Sequence, residues 1–258
     1  MKTSSRWADL RPRVISAVVM VALAALAIGS GGLVFTLSIA LICAGILWEL
    51  AAMLWPGQGM RALRFAVVGG SAVFAASFLP LLLALPILLL PAVLAYLEDK
   101  KVGIRFAPFA IWVMVAGFGF IGLRNNLGLD WLLWLVSVVV ACDVAGYFAG
   151  KTIGGRKFWP RISPKKTWSG TSAGWVAAAC VGIAFTGTLG FGFGGVVFSV
   201  LVAMASQAGD IAESAMKRRC QVKDSSAMIP GHGGLFDRFD GMLGASALFM
   251  VFLALHSL

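Results

Sequence analysis

GLVFTLSIALICAGILWELAAML, residues 32–54, is an apolar run broken by a single charge, Glu49. A helix needs about 20 such residues to cross a hydrocarbon core of about 30 Å. The run therefore reads as one membrane span, entered from the turn Gly29-Ser30-Gly31-Gly32 and followed by Pro56. Similar runs lie on both sides of it. Their spacing predicts further spans over 14–29, 63–79, 80–97, 106–123, 131–149, 172–188, 194–213 and 241–257, nine in all. Pro80, Pro86 and Pro91 kink or divide the fourth span. A mean hydropathy of +0.92 with only 12% charged residues excludes a soluble domain. The expectation is an all-α, polytopic helical membrane protein whose first apolar run is a retained span rather than a cleaved signal.

The basic residues orient this drawing. Nine spans with a cytoplasmic N-terminus place every Lys and Arg except Arg124 in cytoplasmic segments, as the positive-inside rule requires. Lys2, Arg6, Arg11 and Arg13 form the first of these basic blocks. The formal net charge of +10 is scattered in short blocks between spans. That pattern argues against nucleic acid and for lipid headgroups or an anionic substrate. The cysteines, Cys43, Cys142, Cys180 and Cys220, are far apart and suggest neither a zinc site nor a disulfide framework. No linker or repeat divides the chain into independent domains. Residues 1–130 are expected to supply packing spans, and residues 131–258 the chemistry.

The acids are few enough to weigh singly. Asp9, Glu98, Asp99 and Asp130 fall in loops or tails and read as solvated surface. Glu49 either snorkels to the membrane interface, pairs with a base or serves a function. Asp143 lies near the end of the sixth span, and Asp210 and Glu213 near the end of the eighth. Carboxylates inside a span are costly, so they face a cavity or a partner. Glu213 has Lys217 four residues on, on the same helical face. Asp237 and Asp240, three residues apart, share a face if the last span begins there. Two adjacent carboxylates repel unless a cation lies between them or a proton is retained. Mg²⁺ suits such a pair, although Arg238 between them offers a structural ion pair instead.

Two loops add phosphate-binding chemistry. Gly231-His232-Gly233-Gly234 leaves backbone amides free to form an anion nest, with Lys217, Arg218 and Lys223 nearby in sequence. The segment from Gly150 to Gly170 again mixes glycines, paired bases and hydroxyls, without the Walker spacing. It is either a phosphate cradle or a topology-fixing loop. No Ser-His-Asp set or candidate nucleophilic cysteine is present. Metal-assisted phosphoryl or nucleotidyl transfer, which needs no protein nucleophile, fits these residues.

Ser214-Ala215-Met216-Lys217-Arg218, then Lys223-Asp224, then Ile229-Pro230-Gly231-His232-Gly233-Gly234-Leu235-Phe236-Asp237-Arg238-Phe239-Asp240, closely resembles the signature of phosphatidate cytidylyltransferases, also called CDP-diacylglycerol synthases. Ser163-Pro164-Lys165-Lys166-Thr167 resembles a second block of that family. Asp143, Tyr147, Gly150 and Lys151 resemble a third. Gln207, Gly209, Asp210, Glu213 and Ser214 resemble the approach to the signature. Ser169 stands where many members have Glu, and Gly146 where Ala is usual.

The resemblance implies transfer of the cytidylyl group of CTP to phosphatidate, with Mg²⁺ and room for a second cation. It implies Asp210 and Asp237 as metal ligands, and Asp224, Asp240 and Lys223 as further catalytic residues. Ser163, Lys165, Lys166 and Thr167 would hold CTP. Lys217, Arg218 and Arg238, with His232, Gly233 and Gly234, would hold the lipid phosphate or the leaving pyrophosphate. It further implies a homodimer in the bacterial inner membrane, with phosphatidate entering from the cytoplasmic leaflet. Two rival readings remain at this stage: a secondary transporter of an anionic substrate, and a CTP-dependent lipid kinase.

Overall fold

The computed structural model describes residues 10–190 and 192–256. Lys2, Arg6 and Asp9, weighed above, lie outside them. The chain is almost wholly helical. The helices are α1 (Leu10–Ser30), α2 (Gly32–Leu54), α3 (Gly59–Ala76), α4 (Leu81–Glu98), α5 (Lys100–Gly122) and α6 (Leu129–Thr152). They continue as α7 (Trp168–Ala184), α8 (Thr186–Leu189), α9 (Phe193–Arg219) and α10 (Phe236–His256). A π-helical turn, Leu123–Leu127, extends α5. Among the described residues, eight helices are long and apolar enough to cross a membrane: α1 to α6, α9 and α10. The chain is a polytopic helical membrane protein.

Three expectations change. The seventh expected span, 172–188, is α7, which has 17 residues and stops at Ala184. It rises about 26 Å, a little less than the hydrocarbon core. The short α8 follows and ends at Gly190 in a left-handed conformation. Among the described residues eight helices meet the length counted as a span, and α7 is a further apolar helix set four residues earlier than expected. Second, the polar loop after α6 is not wholly irregular. β1 (Lys157–Trp159) pairs antiparallel with β2 (Ser163–Thr167), Lys157 opposite Thr167 and Trp159 opposite Ser163. Third, the last helix starts at Phe236 rather than 241, so Asp237 and Asp240 both lie on α10. Pro86 and Pro91 sit inside α4 without dividing it.

The fold has two compact units. The first holds the chain up to Ile111 together with Cys220–Phe239. The rings of Trp55, Phe65 and Phe106, all buried, meet at centroid distances of 4.8–5.5 Å in its core. Glu98 and Asp99 are not merely solvated. Glu98 accepts from Arg64 at 2.6 Å and pairs with Arg61 at 3.4 Å. Asp99 caps α5 by accepting from the amides of Lys101 and Val102, and it also accepts from the Trp55 indole. The indole bond, then the Val102 amide, hold its carboxyl below the ordinary carboxylate range.

The second unit holds Trp112–Arg219 and the chain from Asp240 onward. In lipid, helices associate through close packing of small residues and through buried polar pairs rather than through hydrophobicity. Both devices are present. The backbones of α6 and α7 cross at Gly146 and Gly170, where a Cβ on Gly170 would come within 2.5 Å of the Gly146 carbonyl oxygen. Buried Trp134 donates its indole N–H to Ser199 across α6 and α9 at 2.9 Å. Ser246 on α10 donates to the Ala116 carbonyl on α5 at 2.7 Å.

This crossing gives an ordered expectation. Gly170→Ala drives a methyl into backbone that cannot rotate away, and costs roughly 1–3 kcal/mol, the usual range for overpacking. Gly146→Ala, whose Cβ would stand 3.3 Å from the Gly170 carbonyl oxygen, costs less. Thermal unfolding in detergent checks the order; a Gly170→Ala protein as stable as the parent contradicts the crossing.

Candidate active site

In the second unit, α9 and α10 carry three carboxylates that converge. Asp210, Glu213 and Asp240 each offer an oxygen within 4.8 Å of the others. Asp210 and Glu213 are three residues apart on α9, so they share one face of that helix. Glu213 is fully buried. Two lysines meet this charge. Lys166 on β2 reaches Asp210 Oδ2 at 2.6 Å, and Lys217 reaches Glu213 Oε2 at 2.7 Å. Asp210 Oδ1 accepts from Ser214 at 3.3 Å, and Asp240 Oδ1 accepts from the Gly241 amide at 2.7 Å.

The hairpin is anchored to deliver Lys166. Buried Thr167 caps α7, its hydroxyl oxygen accepting from the Gly170 amide at 3.2 Å. Ser169 donates to the Gly154 carbonyl and lies 3.1 Å from the Thr167 hydroxyl. The residue that departs from the family pattern thus ties the entry of the hairpin to the start of α7. Gln207 accepts from the Trp175 indole at 3.0 Å and donates to the Thr171 carbonyl at 3.3 Å. This joins α9 to α7 one turn before Asp210. Lys165 is exposed and Ser163 half-buried. Arg218, beside Lys217 in the last turn of α9, is exposed and suits the negative end of that helix. Asp143 is exposed on α6, where Lys151 donates to the Tyr147 hydroxyl at 3.4 Å.

In the first unit, Glu49 dominates. It is fully buried in α2 and accepts four hydrogen bonds. Oε1 takes the Ser226 hydroxyl at 2.6 Å and the Leu235 amide at 2.8 Å. Oε2 takes the Phe236 amide at 2.7 Å and the Ser225 hydroxyl at 3.0 Å. Asp237 closes the same loop. Its Oδ2 accepts from the Ser225 amide, the Ser225 hydroxyl and the Gly234 amide, each at 2.8 Å. The single Ser225 hydrogen serves one carboxylate at a time. Any side chain at Gly234 would run into Glu49 and Ser225.

The glycine loop is therefore a nest, as its sequence suggests, but this chain's own carboxylates fill much of it. The amides of Gly234, Leu235 and Phe236 go to Asp237 and Glu49, and the His232 amide goes to the Ile229 carbonyl at 2.9 Å. The Gly234 amide expected for phosphate is thus committed elsewhere. Gly233, in a left-handed conformation, passes beside Asp224 and Asp237. Arg238 is exposed and donates to the His232 carbonyl at 3.0 Å, rather than bridging its neighbouring aspartates. Lys223 and Asp224 are exposed.

Asp210 therefore meets Glu213 and Asp240, while Asp237, expected as its partner on a metal, spends Oδ2 on the loop of the first unit. Glu213 was legible as the partner of Lys217 but not as a member of a carboxylate group. Ser225 and Ser226 carried no signal. Glu49 did carry one, as an ionisable residue inside a span, but its partners are two hydroxyls and two amides rather than a base. Asp210, Glu213 and Asp240 fit a hard divalent cation, which takes carboxylate oxygens. Lys166 and Lys217 pair with two of the three, Asp210 and Glu213.

The profile of the cytidylyltransferase family matches residues 11–256, and the chain belongs to that family. Relatives named phosphatidate cytidylyltransferase are similar over part of their length. That of Brucella suis biovar 1 (strain 1330) is 39% identical over 155 residues, covering 57% of each chain. That of Bacillus subtilis (strain 168) is 36% identical over 153 residues, again 57% of each. That of Helicobacter pylori (strain J99 / ATCC 700824) is 42% identical over 137 residues, 52% of this chain and 51% of the relative. The chain thus covers little more than half the length of the relatives it matches.

Glu49→Ala leaves two buried amides without their acceptor, at a cost on the order of 3 kcal/mol. Thermal unfolding should show it as a large fall in Tm, together with faster amide exchange at Leu235 and Phe236. An unchanged exchange rate there contradicts the assignment.

Proposed function

We propose that the protein transfers the cytidylyl group of CTP to phosphatidate, giving CDP-diacylglycerol and pyrophosphate. Membership of the cytidylyltransferase family and the names of the similar relatives support the reaction. The observation that carries the chemistry is the convergence of Asp210, Glu213 and Asp240 on adjacent turns of α9 and α10. Both substrates are polyanions or anions. Two unit charges 4 Å apart repel by about 4 kcal/mol at an effective dielectric of about 20. The residues of the site must offset that repulsion before the lipid phosphate can attack the α-phosphorus in line.

Mg²⁺, bound by Asp210 and Asp240 with Glu213 behind them, would neutralise charge on the CTP phosphates and the leaving pyrophosphate. Lys166 then exchanges its carboxylate for a CTP phosphate, and exposed Lys165 adds a second cation from the same strand. Lys217 and Arg218 at the end of α9 bind phosphate at the rim of the membrane. In the first unit, Asp237 and Glu49 fix the loop that carries His232 and Arg238, which take the lipid phosphate. Lys223 and Asp224 belong to the same loop as supporting groups. The distribution of basic residues supports a cytoplasmic face of a bacterial inner membrane for this chemistry, and a homodimer is the proposed working assembly.

Purified protein in phosphatidate micelles with labelled CTP tests the reading. Lipid-extractable cytidylyl label, released pyrophosphate and loss of both with EDTA are expected. Release of CDP with a newly phosphorylated lipid alcohol would instead mean a kinase, and vesicle flux without turnover a transporter. Asp240→Asn should lower kcat by roughly 100-fold, as loss of a preorganised charge does, without preventing membrane insertion. Wild-type kcat in that variant would remove Asp240 from the site.

A further inference from the structure

α1 is nearly bare of packing, yet its first turns touch the loop that carries His232. Ser16 Oγ lies 2.8 Å from His232 Nδ1, 3.0 Å from the Pro230 carbonyl and 3.0 Å from the Arg13 carbonyl. The stem of Arg13 lies against Gly231, where a Cβ would collide with it. Gly231 holds a left-handed conformation, so the contact and the turn both require glycine there. An anchor of this kind, 216 residues away in sequence, is not needed to make either element helical.

The hydrogens at Ser16 can be counted. A serine hydroxyl has one hydrogen and two lone pairs. Both carbonyls only accept, so a hydroxyl hydrogen spent on either of them leaves Nδ1 as the donor of the third contact. We propose that Ser16 is a positioning residue that holds neutral His232 as its Nδ1–H tautomer, leaving a lone pair on Nε2. In a neutral ring one nitrogen donates and the other accepts, and the partner of the first fixes the role of the second.

The consequence rests on the proposed reaction. An Nε2 lone pair cannot bind a bare phosphate oxygen, but it accepts the hydrogen of a phosphate monoester, whose second pKa is about 6. The O–H bond of the phosphatidate phosphate breaks, the proton moves to Nε2, and the electron pair stays on the phosphate oxygen. No bond to phosphorus changes in this step. The lipid phosphate becomes a dianion, the better nucleophile, beside an imidazolium still anchored to Ser16 through Nδ1–H. Arg13 and Arg238, on the same loop contact, bring further positive charge to that dianion.

The chain has only two histidines, His232 and His256. In the His256→Gln protein, labelled with ¹⁵N-histidine and placed in nanodiscs at a pH that keeps the ring neutral, NMR reads one ring. The Nδ1 signal should be that of a protonated nitrogen and the Nε2 signal that of a bare one. Ser16→Ala should mix the tautomers, and Ser16→Thr should restore the parent spectrum. A parent ring protonated on Nε2, or a Ser16→Ala spectrum identical to the parent's, overturns the proposal. Kinetically, Ser16→Ala should raise KM for phosphatidate several-fold with KM for CTP unmoved, and Ser16→Thr should recover it. A tautomer shift without that KM change overturns the proton-acceptor role. If the parent protein transfers no cytidylyl group at all, the proposed function fails, while the spectra still decide the tautomer.

Discussion

A carboxylate buried in an apolar helix must have its charge met by hydrogens close at hand, because no water is there to meet it. Glu49 satisfies that demand with two amides and two hydroxyls drawn from the far end of the chain. The bonds that keep the charge bearable also fix the first amides of α10, the serine pair before the glycine loop, and the register of Asp237. Amides at a helix start attract anions. Here the anion is built in, so the loop has its shape before any substrate arrives. That order of events suits a site for phosphates, because an open loop of free amides would bind whichever anion came first.

The carboxylates of the second unit follow the same rule with a different outcome. Asp210 and Glu213 are met by lysines, and Asp240 by the amide of Gly241. Amide hydrogens are part of the backbone and stay. Lysine heads are on flexible stems and can be exchanged for another cation or turned towards a phosphate. The contrast separates a carboxylate that holds structure, Glu49, from carboxylates available for chemistry. Lys166 sits on a hairpin pinned by Thr167 and Ser169, so its reach is set while its partner can change.

Much of this was legible in the sequence. Apolar runs of membrane length marked eight helices, and the i, i+4 spacing of Glu213 and Lys217 gave their ion pair. The spacing of Asp237 and Asp240 put them on one face only if the last helix began before residue 241, and it begins at Phe236. What could not be read depends on distant contacts. Glu49 meets Ser225 across 176 residues, and no local pattern announces four donors converging on it. Lys166 and Asp210 belong to separate blocks whose meeting is a matter of tertiary packing. The hairpin escaped because its strands are three and five residues long, too short to show a period. The span expected at 172–188 was set four residues late because the apolar composition continues past Phe185, where the helix stops. Ser169, which stands where many members of the family have Glu, works as a tie between Gly154 and α7.

In the proposed reaction the carboxylates of α9 and α10 hold a divalent cation, and Lys166 leaves Asp210 when they do. A structure determined with CTP and Mn²⁺, read through the anomalous signal of manganese, tests this directly. The predicted result is a manganese peak within coordination distance of Asp210 and Asp240, with Lys166 turned to a CTP phosphate. A peak remote from all three carboxylates, with Lys166 still paired to Asp210, would contradict it.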